Sequence, residues 1–101
     1  MPARTDADGF LYFNDAQLYR SAMRRCATRL PSYAGALDEA ERVLADARSR
    51  YAARGGRPDR PDLARIYTRS DRELAADLAR QSPPEVEAAC AQLVTYHRNN
   101  V

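Results

Sequence analysis

Three side chains in this 101-residue chain have the chemistry to hold a metal or attack a substrate: Cys26, Cys90 and His97, the only histidine. Zinc asks for four ligands at close spacing, and neither a Cys-x-x-Cys nor a His-x-x-x-His pair occurs here; Cys90 and His97 stand seven residues apart on one helical face. The two cysteines fall inside amphipathic segments, so the expectation is two reduced, buried thiols in a cytoplasmic protein, with no metal and no cofactor. For proton transfer the best-placed carboxylates are Glu73 and Asp77, one helical turn apart, an ordinary pairing on an exposed face. No glycine-rich phosphate loop and no activated serine accompanies them. The chain reads as a protein that is not an enzyme, and no residue is assigned a catalytic role.

Charge offers a second kind of chemistry. The sixteen basic residues are all arginine and face fourteen acids, a net charge of +2 that is far from the balance of a dedicated nucleic-acid binder. Between residues 48 and 60, however, Asp59 is the only acid beside Arg48, Arg50, Arg54, Arg57 and Arg60. If the first two helices fold back on one another, Arg20 joins that group, while Arg25 and Arg29 come within reach of Asp38 or Glu41. A local excess of positive charge at a helix end and loop suits an anionic partner, nucleic acid included. Tyr12 and Tyr96, near the two ends of the chain, are candidate protein-contact residues, because a tyrosine ring packs while its hydroxyl stays wet.

Helices must position all of these groups. Asn14 with Gln17 can cap a first helix running to Leu30, where Pro31 ends it. Tyr33, Leu37, Ala40, Leu44, Ala47 and Tyr51 recur at spacings of four and three, which predicts a second helix closed by Gly55. Residues 55–62, rich in glycine and proline, form a loop. A short helix over residues 61–68 is expected to bury Leu63, Ile66 and Tyr67, and the Ser-x-x-Glu boxes at Ser70 and Ser82 each predict another start.

The segment Ser70–Thr95 resembles the helix-turn-helix of bacterial regulators in the apolar spacing of Leu74, Ala75, Leu78, Val86, Ala89 and Leu93; the usual turn glycine is replaced by Ala79 or Arg80. The expected fold is all-α: a small bundle of about five helices, with an N-terminal antiparallel hairpin (14–54), a loop (55–62) and a C-terminal helix-turn-helix-like hairpin within 63–101. Residues 1–13 are an arm, and 14–101 form a single domain.

Large aliphatic residues are few, so the core is lean. No stretch has the length of a membrane span or the make-up of a signal peptide. These features favour a non-catalytic interaction or regulatory module that docks on a protein partner or pairs as a homodimer. The alternative is a nucleic-acid-binding transcriptional regulator using the arginine-rich end and a degenerate helix-turn-helix.

Overall fold

The computed structural model describes residues 6–100, all of whose regular structure is helical; residues 1–5 of the expected arm lie outside them. Helix α1 spans Phe10–Arg29, α2 Ala34–Ala53, α3 Pro61–Ala79 and α4 Pro83–Asn100, with a 3-10 turn at Pro31–Tyr33. Helix α1 begins four residues before Asn14. The Asp6 carboxylate accepts hydrogen bonds from the Leu11 and Tyr12 amides at 2.9 and 3.2 Å, and Asp8 accepts one from Phe10 at 3.0 Å. Carboxylates at a helix N-terminus satisfy free amides and meet the positive end of the macrodipole. Asn14 is thereby freed to accept a bond from the Tyr67 hydroxyl at 2.8 Å.

The linker is shaped by two glycines with different tasks. Gly55 adopts a left-handed φ of 89°, and Gly56 lies so close to the ring of Tyr51 that any Cβ there would overlap it. The amide of Gly56 donates to the Tyr51 carbonyl at 2.9 Å, closing the end of α2.

There are four helices among the described residues and not five, because α3 runs unbroken through Thr68 and Ser70. A Ser-x-x-Glu box creates a start only where the preceding residue leaves the helix, and no glycine or proline forces that here. Leu63, Tyr67, Leu74 and Leu78 form one continuous inward stripe, so both halves of α3 gain by staying collinear. Ile66 falls beside this stripe and is 57% exposed instead of buried. The segment Ser70–Thr95 is therefore the end of one long helix and most of another. The second box does form: the Ser82 amide donates to Glu85 Oε1 at 2.8 Å, and that bond holds the Glu85 carboxyl below its usual range.

Helix α1 packs on each of the other three. Against α2 it runs antiparallel, with Phe13 stacked on Tyr51 at 5.3 Å near one end and Met23 and Cys26 clustered with Leu37 and Ala40 near the other. Arg20 accordingly meets Glu41, at 3.8 Å, and not the arginines at the end of α2. Helix α3 runs in the same direction as α1: Tyr67 meets Asn14, Asp71 meets Ser21 and Arg25, and the Arg29 guanidinium donates to the Leu78 carbonyl. Arg25 and Arg29 thus serve α3 and not the expected Asp38 or Glu41. The Arg25 guanidinium, with help from the Ser21 hydroxyl, holds the Asp71 carboxyl below the ordinary carboxylate range.

Helix α4 returns antiparallel to α1, and Cys26 and Cys90 are joined by a disulfide, with Cα atoms 6.1 Å apart and no exposure of either residue. This corrects the expectation of two free thiols. Position inside a helix says nothing against a disulfide when the two helices face each other at that level. Disulfides persist in oxidising compartments, so the bond removes the ground on which the cysteines pointed to the cytoplasm.

Closing a loop of 64 residues stabilises a fold by about 4 kcal/mol in the chain-entropy account. Replacing both cysteines by alanine is therefore expected to lower the thermal midpoint by roughly 10–25 °C, read by circular dichroism, with helix content at low temperature retained. An unchanged midpoint would show that the bond carries no stability.

Candidate functional site

The six arginines singled out from the sequence do not form a bank of free guanidinium groups. Arg48 pairs with Asp59 at 2.6 Å, Arg50 with Asp46 at 3.0 Å, Arg60 with Asp62 at 3.5 Å and Arg20 with Glu41. Only Arg54 and Arg57 make no ion pair among the described residues. Of these four acids only Asp59 lies within residues 48–60; Glu41, Asp46 and Asp62 fall outside it, where a count along that stretch does not reach.

A different arginine row stands on the outer face of α3. Arg65, Arg69 and Arg72, at spacings of four and three, flank Thr68 and Ala64 on a shallow exposed surface. Arg69 pairs with Glu73 at 3.3 Å, whereas Arg65 and Arg72 make no ion pair among the described residues. The periodicity that reveals them is the same one that marks the apolar stripe, read on the opposite side of the helix.

The two candidate tyrosines part company. Tyr12 is half-buried: its hydroxyl donates to Asp46 at 3.1 Å and the Arg50 guanidinium lies 5.6 Å above its ring. Burial, then Asp46, raises its pKa. These contacts tie Tyr12 to α2. Tyr96 is 66% exposed and lines a groove between α1 and α4 of about 260 Å³, together with Asp15, Leu18, Tyr19, Ala22, Leu93 and His97. Leu18, on the α1 wall, is 37% exposed although it is a large aliphatic residue within a helix that packs on three others. The signal that could have flagged it is its neighbour at position 19, which fills the inward direction with a larger ring.

The groove floor is a stack of two rings, Tyr19 and His97, with centroids 3.8 Å apart and planes 5° from parallel. Burial pushes the His97 pKa below 6.5, against the opposing pull of Glu39 and Asp15, and Arg98 adds to the depression. The imidazole is therefore neutral near pH 7, an uncharged part of an apolar wall. Glu73 and Asp77 face Arg69 and Arg80 respectively and do not converge on a cleft. Among the described residues, no three His, Cys, Asp or Glu side chains come together in a way that could hold a metal ion. Likewise, no helix among them is long and apolar enough to cross a membrane. Comparison with protein families, with curated proteins and with solved structures finds no match to this chain.

Because the folded state disfavours the His97 imidazolium, the unfolded chain takes up its proton first as pH falls. Stability from this group is complete above pH 6.5 and is lost as pH drops toward the lowered folded value. A thermal midpoint that declines as pH falls below 6.5 is expected, and His97→Phe, which keeps a ring against Tyr19, should flatten that decline. An identical slope in the variant would assign the effect to other groups.

Proposed function

We propose that this protein is a non-catalytic interaction module whose docking face is the groove between α1 and α4, and whose occupant is a second copy of the chain. The observation that carries this reading is the coincidence of two exposed apolar side chains, Leu18 and Tyr96, on one apolar depression. A two-fold contact requires a patch complementary to itself. This face presents an exposed ring and an apolar recess together, and an apolar space of about 150 Å³ is already enough for a benzene ring. Tyr96 of one copy entering the recess of the other, and the reverse, covers Leu18 and Leu93 twice over. Tyrosine is among the residues that dominate interface energetics when a pocket desolvates the ring.

A lean interior points the same way. Among the described residues, four of the fifteen buried apolar ones are alanine on α1 and α2: Ala16, Ala22, Ala40 and Ala47. They let the helices approach closely and bury little area each, so further apolar burial between copies adds stability that the single chain lacks.

Size-exclusion chromatography with light scattering is expected to show a dimer at tens of micromolar. Tyr96→Ala should weaken self-association about tenfold or more with the helical spectrum unchanged, and Leu18→Asp should abolish it. A wild-type chain that stays monomeric at the highest soluble concentration would overturn the reading.

A further inference from the structure

The outer face of α3 carries a row of positive charge that neither the fold nor the groove employs. Arg65, Arg69 and Arg72 stand on one side of the helix over two turns, an axial rise of roughly 10 Å. Arg65 and Arg72 have no carboxylate within ion-pair distance among the described residues; Arg69 shares its charge with Glu73. The nearer acids are engaged elsewhere, Asp71 by Arg25 and Asp62 by Arg60. Thr68 lies between the arginines as a hydroxyl donor.

We infer that this α3 face binds the phosphate backbone of nucleic acid through Arg65, Arg69 and Arg72. A protein partner of stable affinity needs an apolar centre within a polar rim; among the residues lining this surface nothing apolar is larger than Ala64, and the exposed Ile66 is a single side chain at its edge. A polyphosphate chain needs no such centre: it asks for cations and hydroxyls repeated at close, regular intervals, without reference to base identity. The spacing of one guanidinium per turn supplies that repetition. A face of this kind positions a nucleic acid and carries no sequence preference. It does not depend on the dimer reading, since α3 contributes no residue to the groove between α1 and α4.

The test is fluorescence anisotropy of a labelled mixed-sequence DNA duplex against the full chain at a series of salt concentrations. Three phosphate contacts imply a slope of about −2.7 in log affinity against log salt, a loss of roughly forty-fold between 50 and 200 mM. Arg65→Ala with Arg72→Ala should reduce that slope to about −0.9, because one contact remains, and circular dichroism should show the fold retained. Arg54→Ala with Arg57→Ala should leave binding as it was. Several results would overturn the assignment: no binding at 50 mM salt, an unaltered slope in the α3 variant, or loss of binding in the linker variant instead. Polyglutamate of matched charge binding as tightly as the duplex would transfer the face to acidic proteins and equally defeat it.

Discussion

Helix α1 is required to serve as a wall for three other helices at once, and the remaining structure follows from how each wall is held. Toward α2 the fastening is aromatic, Phe10 and Phe13 enclosing the ring of Tyr51. Toward α3 it is polar, with Arg25 and Ser21 converging on Asp71 and Arg29 reaching the Leu78 carbonyl. Toward α4 it is covalent, through Cys26 and Cys90. A helix with alanine at positions 16 and 22 cannot hold three neighbours by apolar area alone. Directional contacts therefore carry an unusual share of the specification.

Helix α2, the glycine-rich linker and the Ser82 start are legible in the chain because each depends on local rules: an apolar period, a left-handed glycine, a proline behind a cap. The breaks in legibility occur where a distant partner decides. Ser70 opens a Ser-x-x-Glu box but follows no breaker, and Tyr67 and Asp71 both engage α1, so a helix interrupted between them would lose one anchor. Asn14 likewise has the marks of a cap, but two aspartates upstream occupy the free amides and Tyr67 claims its carbonyl oxygen. That the two cysteines face each other cannot be read from spacing, since they are 64 positions apart and three interhelical connections lie between them.

Electrostatics is the least local property of the three. Arg48, Arg50 and Arg60 look alike as letters to Arg54 and Arg57, and only geometry separates the guanidinium groups that a carboxylate neutralises from those that keep their charge. The same holds for the apolar surface. Leu18 and Met23 are both large apolar residues of α1, but Met23 is fully buried while Leu18 lies at the groove between α1 and α4. Surface character of this sort emerges after the helices have been placed.

The Cys26–Cys90 bond also changes what the polypeptide is as a connected object. Its backbone from residue 26 to residue 90 is a closed covalent circle bearing two tails, and the linker at residues 54–60 lies on the circumference. Cutting the main chain once in that linker yields a molecule still in one piece, with α1 and α4 tethered as before. The linker between α2 and α3 is thus one where a single protease cleavage separates nothing until a reductant opens the ring.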